Sequence, residues 1–245
     1  MRRLLFIGAH PDDETFFAAG TLAKCVEEQV RVAVICATRG ERGSTADLCT
    51  IEKLPSVREA EMRHAMQILG VQGLHFLPYE DQKLASAPVE EIRRQLVEII
   101  RKERPDVVIT FDPNGTNQHT DHVAISRFAL DALAAAGDPR WFPDLGSPHT
   151  VARVLWPPPT IIFRYPEAVD LPNEPGIDFL IDTTQWSDKK SAAIRAHKTQ
   201  RLGRLFFDDP NGRRTFCSEA FRVGGGPRPA KIPSGDLFAE LRPAL

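Results

Sequence analysis

The sequence is poor in cysteine, has no excess of charge of either sign and lacks any long apolar run. Its four cysteines form no Cys-x-x-Cys pair, which argues against a disulfide framework and against a zinc knuckle built on thiolates. The 31 Lys plus Arg residues nearly balance the 33 Asp plus Glu residues. We therefore expect no overall field that would collect nucleic acid or an anionic membrane surface.

Uninterrupted apolar runs such as Leu4 to Ile7 fall far short of the roughly 20 residues that a bilayer crossing needs. Arg2 and Arg3 lead into a strand pattern rather than a signal-peptide core. These features predict a cytoplasmic protein with no membrane insertion and no nucleic-acid partner, and they leave a homo-oligomer open. No internal repeat or low-complexity segment is present to indicate an array or a disordered arm.

Strand and helix patterns alternate through the first 135 or so residues. The predicted strands cover residues 4–9, 32–38, 74–77 and 107–111, and the predicted helices cover 14–29, 56–69, 89–103 and 122–135. This order predicts an α/β fold of three layers, α/β/α and Rossmann-like, with a mainly parallel sheet.

Residues 139–159 are rich in Pro and Gly and predict a loop. Two strands at 160–164 and 179–182 and a helix at 187–198 follow, and the tail around 224–227 is expected to be irregular. The length suits one domain over 1–245. We expect its core at about 2–136, with 137–245 supplying loops, extra strands and a helix beside the site.

A first polar cluster, His10-Pro11-Asp12-Asp13-Glu14, directly follows the first predicted strand. In open parallel sheets, ligands bind outside the carboxyl ends of the strands. One carboxylate could bind a metal ion beside His10 while its neighbour serves as a base. Either Asp could instead cap the following helix, but that role leaves His10 and the second Asp unexplained.

A second cluster, His119-Thr120-Asp121-His122, follows the predicted strand at 107–111. His119 and His122 are three residues apart, so on a helical turn they would face the same small volume. Nitrogen and oxygen ligands with one position left open for water are typical of catalytic zinc sites. The two clusters together predict a metal centre at the top of the sheet.

These motifs closely resemble the LmbE-like, or GlcNAc-phosphatidylinositol de-N-acetylase, family of zinc deacetylases and amidases. The resemblance extends over residues 4 to about 200, through Thr38-Arg39-Gly40-Glu41-Arg42-Gly43, Arg58-Glu59-Ala60-Glu61, Pro105-Asp106 and His197-Lys198-Thr199-Gln200. It implies an enzyme that removes an N-acyl group, expected to be acetyl, from a small sugar-like molecule such as an N-acetylglucosamine derivative.

Carried over residue by residue, the family pattern implies three kinds of site residue. The implied zinc ligands, with Fe²⁺ as the alternative metal, are His10, Asp13 and His122. The implied catalytic residues are Asp12 as general base, His119 on the oxyanion or the leaving amine, and Asp121 orienting a histidine. The residues implied near the substrate are Arg58, Glu41 and His197, of which Arg58 and Glu41 could equally be structural ion-pair members.

The chain departs from several relatives just before His119, where Thr116-Asn117-Gln118 replace a segment with an aromatic residue that can reach the oxyanion. Three other functions compete with deacetylation. An amidase acting on a thiol conjugate or acylated antibiotic would use the same metal centre. A nucleotide-binding module would require a Gly-x-Gly-x-x-Gly turn after the first strand, which is absent. A non-catalytic sugar-binding relative is disfavoured because every proposed ligand and the base are present.

Overall fold

The computed structural model describes residues 1–158, 176–201 and 217–241. Within these ranges the strands are β1 (Arg3–Gly8), β2 (Arg31–Cys36), β3 (Gly73–Phe76), β4 (Val107–Ile109), β5 (Arg153–Trp156), β6 (Phe179–Asp182) and β7 (Ser218–Gly225). They form one sheet in the order β3-β2-β1-β4-β5-β7-β6. The first five strands pair in parallel, and β7 pairs antiparallel with both β5 and β6. The mainly parallel sheet is confirmed.

Each predicted helix is present, and its ends lie within about two residues of the prediction. The helices of the described residues are α1 (Asp13–Glu27), α2 (Leu54–Leu69), α3 (Val89–Glu103), α4 (Gly115–Gln118), α5 (Thr120–Gly137) and α6 (Ser187–Ala196). Among them, α4 is a single distorted turn, because Thr116 has a φ of 61°.

Alternate residues of the central strands pack against opposite helical layers. Leu4 and Phe6 belong to a core shared with α1, α2 and α6. Leu5 and Ile7 belong to a second core shared with α3 and α5. A strand that is buried on both faces has a nearly continuous apolar sequence, as β1 does. The three-layer α/β/α prediction is confirmed.

Two sequence predictions about the second half of the chain were wrong. Strand β5 lies inside the segment predicted to be a loop, and its Arg153 is fully buried with the guanidinium donating to three backbone carbonyls. Strand β7 lies in the tail predicted to be irregular. Its Gly224 packs against the Trp156 ring, and a Cβ there would lie 2.2 Å from a ring atom. The predicted strand at 160–164 lies outside the described residues.

Across the described ranges, no helix combines the length and apolar character that a membrane span requires.

A buried ion pair fastens β7 to α1 and α6. Lys190 Nζ donates to Glu219 Oε1 at 2.6 Å, and both side chains are 3% exposed. The same carboxylate accepts the backbone N–H groups of Gly20 and Thr21. This arrangement fixes the middle of α1, the helix whose first turn carries Asp13.

Replacing Lys190 with Met should lower the free energy of unfolding by about 3–5 kcal/mol, because the Glu219 carboxylate would lose its buried countercharge. Urea denaturation measures this change. The neighbouring Lys189 is half-exposed, so Lys189→Met is a matched control with an expected change within about 0.5 kcal/mol. Equal stability of the two variants would show that Glu219 does not depend on this cation.

Candidate metal centre and active site

The two polar clusters meet where the strand order reverses. Strands β1 and β4 are neighbours, and their crossovers lead to opposite sides of the sheet. A crevice therefore forms beyond their carboxyl ends, as open α/β sheets require. His10 to Asp13 follow β1, and the segment that ends at His122 follows β4.

Donor atoms of three side chains from these clusters lie close together. His10 Nδ1 lies 3.2 Å from His122 Nε2, and Asp13 Oδ1 lies 3.1 Å from the same nitrogen. His10 Nδ1 and Asp13 Oδ2 are 3.9 Å apart. A tetrahedral ion with bonds of about 2.0–2.2 Å holds its ligand atoms about 3.3 Å apart. The distances of His10 Nδ1 and Asp13 Oδ1 from His122 Nε2 match this spacing, so the three side chains are compatible with one divalent ion.

Both histidines have their second nitrogen engaged away from this point. His10 Nε2 lies 3.2 Å from Asp121 Oδ2 and 3.2 Å from Asp81 Oδ1. His122 Nδ1 lies 3.3 Å from the Gly115 carbonyl oxygen. When each of these nitrogens carries the proton, the lone pairs of His10 Nδ1 and His122 Nε2 face each other. Hydrogen bonds of this kind orient metal-binding histidines, and Asp121 is one of the two carboxylates within reach of His10 Nε2.

The Asp13 carboxylate is oriented by the backbone of the preceding turn. Its Oδ2 accepts the N–H groups of Ala9 and His10, each at 2.8 Å, which leaves Oδ1 toward His122. Burial would raise the pKa of Asp13, but the charge of His122 and its hydrogen bond lower it to about 2. Asp13 is therefore an anionic donor across the working pH range.

Asp12 does not act as the cap of α1, because its side chain makes no capping hydrogen bond. Asp12 lines the same cavity as His10, Asp13 and His122. Burial, followed by the charge of Asp13, raises the pKa of Asp12 to about 8. A divalent cation beside it would lower this pKa again, because cations invert the local pKa order.

His119 is the N-cap residue of α5, and its Nδ1 accepts the Asp121 N–H at 3.2 Å. Its ring centroid is 4.7 Å from that of His10 and 5.1 Å from that of His122. Burial, followed by the charges of His10 and His122, lowers the pKa of His119. The neutral ring with Nδ1 as acceptor must carry its proton on Nε2, so His119 is a hydrogen-bond donor.

Besides the set with Asp13, two groups of side chains in the described residues bring potential ligand atoms close together, and both include His10. The first group is His10, His119 and His122, and the second is His10, Asp81 and Asp121. We favour the set with Asp13, because its oxygen is 3.1 Å from His122 Nε2 and is already aimed by backbone donors. Every grouping includes His10, and the described residues therefore contain a possible His/Asp metal site.

A cavity of about 510 Å³ opens in front of these groups, within the usual size range for small-molecule sites. Besides the site residues above, its lining includes Phe16, Phe17, Gly43, Ser44, Arg58, Asp81, Gln82, Asn117, Thr199 and Gln200. Asp81 was not predicted from the sequence, although it follows the end of β3 at the same edge of the sheet. The strand-end rule that pointed to the two clusters could have found it.

Arg58 is brought to the cavity by α2 and is only 5% exposed. One guanidinium nitrogen donates to the Ser44 carbonyl at 3.2 Å, and Nε has no partner. A Cβ on Gly43 would lie 2.3 Å from the guanidinium, so only glycine allows this close approach. Arg58 forms no ion pair with any residue that the structure describes, which favours its binding role over its structural one.

The other two residues predicted near the substrate do not line the cavity. Glu41 accepts the backbone N–H groups of Arg39 and Asp81, so it supports the loop that presents Asp81. His197 is 1% exposed, with its Nε2 3.3 Å from Glu14 Oε1. The sequence motif locates both residues near the site but does not show which way their side chains point.

Comparison with known proteins agrees with this geometry. The family model described as PIG-L, GlcNAc-PI de-N-acetylase, matches residues 5–133. A 1D-myo-inositol 2-acetamido-2-deoxy-alpha-D-glucopyranoside deacetylase of Geodermatophilus obscurus is 33% identical, over 98% of each chain. The enzyme of the same name from Streptomyces scabiei is 34% identical, over 96% of this chain and 88% of its own. The chain belongs to the PIG-L family.

Solved structures agree with this assignment. The N,N'-diacetylchitobiose deacetylase from Pyrococcus horikoshii superposes with a TM-score of 0.73 at 25% identity, covering 91% of this chain and 83% of its own. A conserved protein of Thermus thermophilus gives a TM-score of 0.70 at 28% identity, covering 93% and 96%. The family resemblance and the α/β fold are therefore both confirmed for this PIG-L protein.

Metal binding to this PIG-L protein should strengthen as the pH rises. Burial alone would lower the pKa of His10, but hydrogen bonds to Asp121 and Asp81 and the charge of Asp13 raise it to about 10. Below that pH an incoming ion must displace a proton from His10. The apparent dissociation constant should therefore fall about tenfold per pH unit between about pH 6 and pH 9.

Competition with a chromophoric chelator, corrected for the chelator's own protonation, measures this slope. Removing the two hydrogen bonds to His10 Nε2 one at a time, as Asp81→Asn and Asp121→Asn, should make the slope shallower, because each carboxylate favours protonated His10. A dissociation constant that does not vary with pH would contradict the assignment of His10 as a ligand.

Proposed function

We propose that this protein is a zinc-dependent hydrolase that removes the acetyl group from an N-acetylglucosamine derivative, with an N-acetylglucosaminide of myo-inositol as the first substrate class to test. One observation carries the proposal. His10 Nδ1 and Asp13 Oδ1 lie 3.2 and 3.1 Å from His122 Nε2, and Asp12, whose side chain makes no capping hydrogen bond, lines the same cavity. The relatives above include deacetylases of a 2-acetamido-2-deoxy-glucopyranoside of myo-inositol and of N,N'-diacetylchitobiose.

The proposed zinc ligands are His10, Asp13 and His122, and the ion would act as a Lewis acid when bound. Asp12, in its ionised form, takes a proton from the water that attacks the acyl carbon. His119 donates its Nε2–H to the acyl oxygen as negative charge develops there. The carbon–nitrogen bond then breaks, and Asp12 returns its proton to the departing nitrogen. The products are acetate and a free amine.

The cavity suits a polar ring compound. Arg58 presents a guanidinium with an unused Nε, and Asp81 and Ser44 lie on the same lining. Together they supply donors and acceptors for hydroxyl groups. Phe16 and Phe17 add aromatic surface. We propose Arg58 as a substrate-binding residue, and we propose that Glu41 acts indirectly through the backbone of Asp81.

Amine release from a defined set of amides tests the proposal. The zinc-loaded protein would be incubated with N-acetylglucosaminyl-inositol, N,N'-diacetylchitobiose, N-acetylglucosamine and an amide of a thiol conjugate. We expect N-acetylglucosaminyl-inositol to give one acetate per amine, and we expect Asp12→Asn to release amine about 10³-fold more slowly. Release from the thiol conjugate with none from the sugars would instead support the amidase alternative.

A further inference from the structure

The backbone of Asp12 has a conformation that residues with a side chain rarely adopt. Its φ is 121° and its ψ is −23°, outside the regions open to most L-residues. Such strained positions persist only where the surroundings over-determine them, and they cluster at active sites. The contacts that hold Asp12 in this conformation are therefore of functional interest.

Both peptide groups that flank Asp12 are bound by side chains. Its own N–H donates to Glu14 Oε2 at 3.2 Å, and the Pro11 carbonyl accepts the Gln200 side-chain amide. The Asp12 carbonyl accepts both the Thr15 hydroxyl and the Phe16 N–H, each at 2.8 Å. The backbone around Asp12 is thus held by residues of α1 on one side and by Gln200 on the other.

The second oxygen of Glu14 leads to the same segment as Gln200. Glu14 Oε1 lies 3.3 Å from His197 Nε2, and the two side chains are 1% and 0% exposed. Between His197 and Gln200, Thr199 is anchored to α2, where Glu61 accepts its N–H at 3.0 Å and its hydroxyl at 2.7 Å. One short segment, residues 197–200, therefore contacts α2, Glu14 and the Pro11 carbonyl.

We infer that Glu14, His197 and Gln200 are positioning residues that hold the Asp12 backbone in its strained conformation and so aim the carboxylate at the reacting centre. The inference rests on the proposed function and extends it. Glu14 has no other role in the mechanism, and His197 is too deeply buried to touch substrate.

Kinetics of two Glu14 variants test the inference. Glu14→Ala should lower kcat about 100-fold, the loss typical of a small misplacement of a catalytic group, with KM and bound zinc unchanged. Glu14→Gln should recover most of kcat, because its amide can accept the Asp12 N–H and donate to a neutral His197. Glu103 is a buried carboxylate far from the site, bonded to His75 and Arg31. Glu103→Ala is the matched control, and it should lower stability without lowering kcat.

A double mutant separates positioning from general damage. In an Asp12→Asn background, Glu14→Ala should cause little further loss, since two residues that act through one group are not additive. A full 100-fold further loss would overturn the inference. If Glu14→Ala does not fold, Gln200→Leu removes the other contact from a less buried position and takes its place in the same comparisons.

Crystal structures of wild type and Glu14→Ala give a readout that does not depend on activity. We expect the Asp12 φ to leave the positive region in the variant and the carboxylate to move. An unchanged Asp12 would overturn the inference. An inactive wild type would instead refute the proposed function, and the two failures are therefore distinguishable.

Discussion

The Asp12→Asn variant is expected to keep its zinc and to lose about 10³-fold in kcat. Asn has the same size and shape as Asp but cannot take a proton from water at neutral pH. The three donors of the metal site, His10, Asp13 and His122, are untouched by the change. Steady-state amine release, together with metal analysis of the purified protein, measures both quantities.

Asp188 provides a matched control for this variant, because it is an exposed carboxylate on α6. Asp188→Asn makes the same chemical change away from the cavity and should leave kcat and zinc content at their wild-type values. If the kcat of Asp12→Asn were within tenfold of the wild-type value, Asp12 would not be the general base.

The His122→Ala variant is expected to lose metal affinity by more than about 100-fold. Changes to groups that merely orient a ligand cost 10–100-fold, and this change removes one ligand of three. The ring also stacks on Phe111, with centroids 3.9 Å apart, so some loss of stability should accompany the loss of metal. Metal analysis after dialysis, followed by a competition titration, gives the affinity.

His64 is the control for this change, since it is an exposed histidine on α2. His64→Ala should bind metal like wild type. If His122→Ala retained one tightly bound zinc per chain, His122 would not be a ligand, and the alternative grouping of His10 with Asp81 and Asp121 would have to be considered.

The alternation of strands and helices in the first half could be predicted because strands such as β1 are apolar on both faces. The second half could not be predicted in the same way. Strand β5 opens with Arg153, a buried charge satisfied by carbonyls distant in sequence. Strand β7 ends in glycines, one of which is required by the Trp156 ring. Both signals depend on tertiary contacts that local patterns do not contain.

The candidate metal ligands could be predicted because strand ends meet at one edge of a parallel sheet. The surroundings of those ligands could not. The spacing of Glu41 and His197 in the sequence does not show what their side chains contact. Glu41 accepts two backbone N–H groups, and His197 is buried against Glu14. Asp81 was missed because a single Asp after a short strand gives a weak pattern, although its carboxylate lies 3.2 Å from His10.

The central claim is that a single divalent ion is held by His10, Asp13 and His122 beside the free carboxylate of Asp12. An anomalous difference map at the zinc edge, from crystals grown with zinc and without chelator, tests it most directly. We predict one strong peak about 2.0–2.2 Å from His10 Nδ1, Asp13 Oδ1 and His122 Nε2. A peak on the other side of the His10 ring, between Asp81 and Asp121, or no peak in this crevice, would contradict the claim.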